Sequence, residues 1–162
     1  MKLNIRKLDA AEINKVSHLY DEPENPSFME KRKEKIVAGI QDIYVLENEN
    51  NIIGEVTIVY DDVHDGFTIK GQRVYMEALR IEQDYQGKGY GQHLINKVIE
   101  NIKNQGYQEI TIGVEDDNLN AKHIYYKLGF TNYVCRQFGD KYAPEGYDVW
   151  LKKINEIKKV DL

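Results

Sequence analysis

Apolar and polar positions alternate along several stretches of this chain, and elsewhere apolar residues return every three or four positions, so strands and helices separate by period. Leu3 and Ile5, with Leu8 beyond them, predict a first strand. Ala10 to Tyr20 predicts a helix capped by Asp9, with Glu12 three residues on in the position of a capping box. Asp21 to Pro26 breaks it, and Phe28 to Ile40 predicts a second helix, polar and rich in Lys and Glu. Ile43, Val45 and Leu46 begin a strand, Asn48 to Asn51 turns it, and Ile52 to Tyr60 brings it back as a hairpin. A loop from Asp61 to Gln72, with Gly66 and Gly71, leads to a fourth strand marked by Val74, Met76, Ala78, Leu79 and Ile81.

Beyond it, Tyr90, Leu94, Ile95, Val98, Ile99 and Ile102 follow helical spacing, and Ile110, Ile112 and Val114 alternate with Thr111 and Gly113 as a strand. Ala121, Ile124, Tyr125 and Leu128 share one apolar helix face. Tyr133 to Phe138 and Tyr147 to Lys152 are the closing strands, separated by an irregular stretch with Pro144 and Gly146. This order predicts an α+β fold, a mixed and mainly antiparallel sheet with helices on both faces. No repeat or low-complexity linker divides the chain, so residues 1–162 are expected to form one domain. A domain of this size buries about two-thirds of its unfolded surface.

The junction between the fourth strand and the long helix, Gln86-Gly87-Lys88-Gly89-Tyr90-Gly91, stands apart chemically. Its glycines permit a tight turn and expose bare amides. The first amides of a helix lack intrahelical partners and sit at the positive end of its dipole, so the junction reads as an anion cradle. It fits the common nucleotide motifs badly: no Lys-Ser or Lys-Thr follows the glycines, and the dinucleotide spacing is incomplete.

Composition narrows the partners. A net charge of −5 and a pI near 5.4 argue against nucleic acid, which binds to a basic face. No apolar run approaches membrane-spanning length, Cys135 is the sole cysteine, and the opening residues lack the apolar core of a signal peptide, so a cytoplasmic protein off the membrane is expected. The four histidines, His18, His64, His93 and His123, are too scattered for a metal site.

Gln86, Gly89 and Gly91 form Gln-x-x-Gly-x-Gly, which resembles the acyl-CoA pyrophosphate loop of the Gcn5-related N-acetyltransferases. Asn118, Ala121, Ile124, Tyr125, Gly129 and Phe130 then reproduce the Asn-x-x-Ala-x-x-(Leu/Ile)-Tyr-x-x-x-Gly-Phe pattern of that family, in the right order, so that the resemblance covers roughly residues 41 to 135. It implies splayed fourth and fifth strands, with acetyl-CoA as co-substrate and no metal. Leu79, Arg80 and Ile81 would pair their backbone with the pantetheine arm. The amides of Gly87, Lys88, Gly89, Tyr90, Gly91 and Gln92, following Gln86, would hold the pyrophosphate, and Lys88 would add charge. A backbone N–H near Ile81 would face the thioester oxygen. The implied reaction is direct acetyl transfer to a primary amine, on a small molecule or a peptide, within a ternary complex.

Tyr125 then matches the general acid, although its spacing alone reads as core, and Asn118 matches a pantetheine partner, although alone it reads as a cap. Glu77 is the base candidate on the fourth strand, with Glu55, Glu115, His64 or a water chain as alternatives. Other members carry a base on the fifth strand where Gly113 stands here. The first two helices, the Asp61, Asp62 and Asp65 loop and the stretch from Gln137 to Tyr147 are expected to shape the acceptor site. Tyr133, Tyr142 and Tyr147 line an aromatic pocket or bury a homodimer contact, and both readings stay open. Two other functions also stay open: a non-catalytic acyl-CoA sensor or scaffold, and a nucleotide-binding module. A covalent route through Cys135 is disfavoured, since nothing near it in sequence would activate the thiol.

Overall fold

A computed structural model describes residues 2–20, 26–61, 63–139 and 143–154. Strands β1 (Leu3–Lys7), β2 (Gln41–Asn48), β3 (Asn51–Val59) and β4 (Arg73–Ile81) run as an antiparallel meander. Strand β5 (Glu109–Glu115) lies parallel to β4, which requires a crossover, and helix α2 (Tyr90–Asn104) supplies it. Helix α3 (Leu119–Lys127) follows, then β6 (Asn132–Gln137) and β7 (Tyr147–Lys153). β7 inserts between β5 and β6, so the seven-stranded order is β1-β2-β3-β4-β5-β7-β6. The α+β sheet of mixed, mainly antiparallel direction is as expected.

The first helical stretch, Ala10–Leu19, is a 3-10 helix and not an α-helix. Its inward residues explain this: Ile13 and Val16 are buried and Leu19 packs beside them, a spacing of three that a three-residue turn places on one line. Glu12 accepts from the Asp9 amide at 3.4 Å, which is the expected return arm of the capping box. The break expected over Asp21 to Pro26 lies outside the described residues except at Pro26, which is the first residue of α1 (Pro26–Val37). α1 ends earlier than the polar pattern suggested. Gly39, at φ +74°, turns the chain left-handed, and the Ile40 amide donates back to the Lys35 carbonyl at 3.0 Å.

The sheet is covered differently on its two faces. On one, Leu94, Ile95, Val98 and Ile102 of α2 are fully buried against Val56, Ile58, Val74 and Ile110. Each such side chain contributes about 1.5–3 kcal/mol on burial. On the other face the 3-10 segment and α1 cover β1 to β3 through Ile13, Val16, Met29, Ile43 and Val45. Further along that face Phe67, from the loop before β4, and Tyr147, from the start of β7, pack on Tyr75 and Val149. Among the described residues no helix is long and apolar enough to cross a membrane.

Candidate active site

The ladder between β4 and β5 is short. It pairs Arg73 with Glu109 through Met76 with Ile112 and stops there, although β4 runs to Ile81 and β5 to Glu115. A bulge turns β4 at the same place: Glu55 faces Arg80 and Thr57 faces Glu77, so Ala78 and Leu79 together oppose Val56. Ala78 has φ +57°, a region that residues bearing a Cβ seldom occupy. The two strands therefore splay, and the β5-facing edge of β4 from Glu77 to Ile81 has no strand beside it.

The glycine loop lies at the end of that edge. Gly87 and Gly89 have φ of +73° and +84°, and a Cβ at either would meet nothing within 4 Å, so the loop is open as well as left-handed. Gly89 is the residue preceding α2, and the Gln86 side-chain amide donates to the Ile81 carbonyl at 2.8 Å, fastening loop to strand. Lys88 and Gln92 are exposed beside Tyr90, and Gly91 faces Leu79 and Ile81. The residues expected to hold a pyrophosphate thus come together at one helix N-terminus.

Across the cleft, Asn118 caps α3, its Oδ1 accepting from the Ala121 amide at 3.1 Å. Tyr125 lies on the inner side of α3, edge-on to Phe130 at 5.8 Å. Burial raises its phenol pKa above the ordinary value, so the hydroxyl keeps its proton at neutral pH. Gly129, at φ +96°, ends the helix, and Phe130 is buried behind it. With Val114, Leu119, Tyr126 and Trp150, Tyr125 lines an apolar cavity of about 470 Å³.

The opposite face of the cleft holds side chains that sequence reasoning did not bring together. Glu55 is fully buried on β3, where Tyr20 donates to it at 2.8 Å and Arg32 of α1 at 3.0 Å. Arg32 also donates to Thr57 at 3.3 Å, while its buried Nη1 has no hydrogen-bond partner among the described residues. Burial, with the Glu55 charge next, pushes the Tyr20 phenol up to about 12. Arg80 lays its guanidinium over the Tyr20 ring at 4.0 Å. Directly paired residues of antiparallel strands share a face, so Glu77, opposite Thr57, and Arg80, opposite Glu55, both stand on the α1 side. The only hint in the sequence was polar residues, Glu55 and Thr57, at alternating positions of an otherwise apolar strand.

Gly113 belongs to the same face. A Cβ there would lie 2.6 Å from the Tyr147 ring and 3.2 Å from the Tyr75 hydroxyl, so two tyrosines fill the space a fifth-strand side chain would need. Tyr147 is therefore buried against β5, whereas Tyr133 is exposed, edge-on to Trp150 at 5.5 Å; Tyr142 lies outside the described residues. Glu115 is exposed at the end of β5, and His64 is exposed against the Phe67 ring. Asp61 and Asp65 are exposed, and Asp62 lies outside the described residues. Cys135 is half-buried, and burial pushes its thiol up, away from a reactive thiolate. Among the described residues no group of His, Cys, Asp or Glu is arranged to hold a metal.

Comparison with known proteins agrees with this geometry. A sequence model of the acetyltransferase (GNAT) family matches residues 9–130. N-alpha-acetyltransferase 30 of Schizosaccharomyces pombe is 37% identical over 90 residues, which is 56% of this chain and 57% of that protein, so the chain spans just over half the length of this curated relative. The ribosomal-protein-S18-alanine N-acetyltransferase of Escherichia coli superposes with a TM-score of 0.73 at 14% identity, covering 99% of both chains. The yncA protein of Salmonella typhimurium, solved with its cofactor acetyl-CoA, superposes with a TM-score of 0.69 at 20% identity, covering 95% of both. At such identities the two structures establish the fold.

Proposed function

The chain belongs to the acetyltransferase (GNAT) family, and we propose that it transfers an acetyl group from acetyl-CoA to a primary amine by direct attack in a ternary complex, with residues 1–162 acting as one domain. The observation that carries this reading is the β4–β5 ladder ending at Met76 and Ile112 beside an open glycine loop at the start of α2. An unpaired strand edge accepts an extended amide-bearing arm by strand addition, and bare helix amides accept a diphosphate. The yncA structure with acetyl-CoA supports that choice of ligand.

In this reading the backbone of Leu79, Arg80 and Ile81 pairs with the pantetheine arm, and Asn118 contacts it from the other side with the amide nitrogen its capping role leaves over. Gly87, Lys88, Gly89, Tyr90, Gly91 and Gln92 hold the pyrophosphate, in a loop that Gln86 braces. A backbone N–H on the Leu79–Ile81 edge stabilises the oxyanion, a contribution of about 3 kcal/mol in such sites. Glu77 takes the proton from the attacking ammonium, directly or through water. Tyr125, kept protonated by burial, donates to the departing thiolate.

The acceptor amine enters from the α1 side, where Glu77 stands. A peptide amine is one option, since the matched yeast relative is named for α-amino acetylation. The test is release of CoA thiol from acetyl-CoA against polyamines, aminoglycosides, amino acids and amino-terminal peptides, with thermal stabilisation by acetyl-CoA, ATP and NAD measured in parallel. Release with one amine class and stabilisation by acetyl-CoA alone are expected. Stabilisation by ATP or NAD but not acetyl-CoA would overturn the assignment, and stabilisation without release from any amine would leave an acyl-CoA-binding protein in place of an enzyme.

A further inference from the structure

On the α1 side of the cleft, one guanidinium keeps its donors. Glu55 is the buried anion there, and it is fully engaged by the Tyr20 hydroxyl and Arg32. Arg80 faces Glu55 across the β3–β4 ladder but does not reach it, because Tyr20 stands between them with its hydroxyl on Glu55 and its ring under the Arg80 guanidinium. Among the described residues the Arg80 side chain forms neither an ion pair nor a hydrogen bond. With Glu77 on the same face the formal charges of Glu55, Glu77, Arg32 and Arg80 balance, but Glu55 is taken by Arg32 and Tyr20 and so does not occupy the Arg80 donors.

The ring contact holds the Arg80 guanidinium over Tyr20, and the residue is otherwise exposed. A flat, oriented guanidinium with free edges is the donor pattern that matches a carboxylate in two-point fashion. Arg80 lines a polar cavity of about 740 Å³ with His18, Leu19 and the run from Leu79 to Asp84. Glu82 and Asp84 border the same cavity, yet neither lies within 4.0 Å of Arg80 as an ion pair. Leu79 and Ile81 point the other way, toward Gly91 at the start of α2, so the Arg80 side chain is turned from the phosphate cradle. The cavity therefore offers one oriented cation beside carboxylates, a pattern suited to a zwitterion.

We propose that Arg80 is the carboxylate anchor of the acceptor site, selecting small amines that carry a carboxylate on the same molecule, as free amino acids do. This rests on the acetyltransferase reading above, with the amine directed to Glu77 on the same face. The Tyr20–Glu55–Arg32 set positions the anchor and does not touch the acceptor. The Glu55 charge, already neutralised by Arg32, leaves Arg80 as the free partner for the incoming anion.

The test compares L-amino acids with their carboxamides. With the wild-type protein, kcat/KM is expected to favour the acids by roughly 10- to 100-fold, mainly through KM, as for one charge-assisted pair. In Arg80→Gln the ratio should fall toward one, and Arg80→Lys, which keeps charge without the planar fork, should recover only part of it. Thermal shift of the CoA-bound protein by each acid and its amide reads the anchor without turnover. Equal shifts for acid and amide, or a preference that survives in Arg80→Gln, would overturn the anchor even if acetyl transfer is confirmed. An acid-specific shift lost in Arg80→Gln, with no transfer, would keep the anchor and overturn the transferase reading instead. Discrimination confined to dipeptides with Asp over Asn at the second position would overturn selection of free amino acids and assign Arg80 to a peptide side chain instead.

Discussion

The two faces of the sheet solve different problems. On the α2 side, apolar side chains pack a helix whose leading amides, with the unpaired edge of β4, present backbone to the cleft; the side chains there mostly hold the frame. On the α1 side, charged and aromatic side chains from the 3-10 segment, α1, β3 and β4 converge, and the backbone serves only to carry them. A ligand shared by many proteins is met by groups that every residue possesses. The part that distinguishes one acceptor from another is met by groups that only particular residues supply.

Breaking each face separately sharpens this contrast. The largest effect is expected for Tyr125→Phe: turnover falls at least about 100-fold, as for loss of a general acid, while thermal stabilisation by acetyl-CoA persists. Unchanged turnover would remove Tyr125 from the chemistry. On the other face, Glu55→Ala strands the buried Arg32 charge, and such losses cost about 3–5 kcal/mol. Calorimetry should show a fall in melting temperature on the order of 10 °C, whereas a Tm within a degree or two of wild type would mean that the pair is not buried in solution.

Gly89→Ala forces a Cβ into a left-handed turn at a cost of about 1–2 kcal/mol, and it is expected to weaken acetyl-CoA binding roughly tenfold in titration calorimetry while sparing the α1-side cluster. The smallest effect is electrostatic. Glu12, half-buried at the start of the 3-10 segment, is held at about 2 by hydrogen bonds from Arg6 and then Lys15. Its folded pKa lies below the ordinary 4.5, so its stabilising contribution is complete above that value and is lost as pH falls toward 2. Glu12→Gln should flatten the acid limb of a Tm-against-pH curve between those limits and leave the neutral plateau nearly level; an unaltered acid limb would show that the pair is screened away.

Legibility in the sequence followed the same division. The succession of strands along the chain, α2 and the glycine loop could be read because period and glycine spacing are local signals, and the pattern from Asn118 to Phe130 extends over a single turn-and-helix unit, whereas the insertion of β7 between β5 and β6 rests on non-local pairing. The 3-10 geometry of Ala10–Leu19 escaped because its apolar residues, Ile13, Val16 and Leu19, span only six positions, over which an α-helix also holds an i, i+3 spacing on one broad face. Glu55 could be named as a base candidate from type alone, but its burial under Tyr20 and Arg32 depends on residues 35 and 23 positions away. Arg80 was placed on the cofactor edge through its backbone. Its side chain reports to the opposite face because the Ala78–Leu79 bulge resets the alternation, and a single residue of slip is invisible in composition.

The filling of the Gly113 position carries a consequence for how this site could change. With the Tyr147 ring 2.6 Å from where a Cβ would begin, an acid cannot be introduced on the fifth strand while that ring remains. Positions 113 and 147, on adjacent strands and 34 residues apart, thus behave as a single heritable unit: Gly113→Glu alone should be unfolded or inactive, and only a paired exchange with a small residue at 147 opens the alternative. The route between a fourth-strand and a fifth-strand base would then run through two substitutions in a fixed order, the ring at 147 giving way before position 113 gains a side chain.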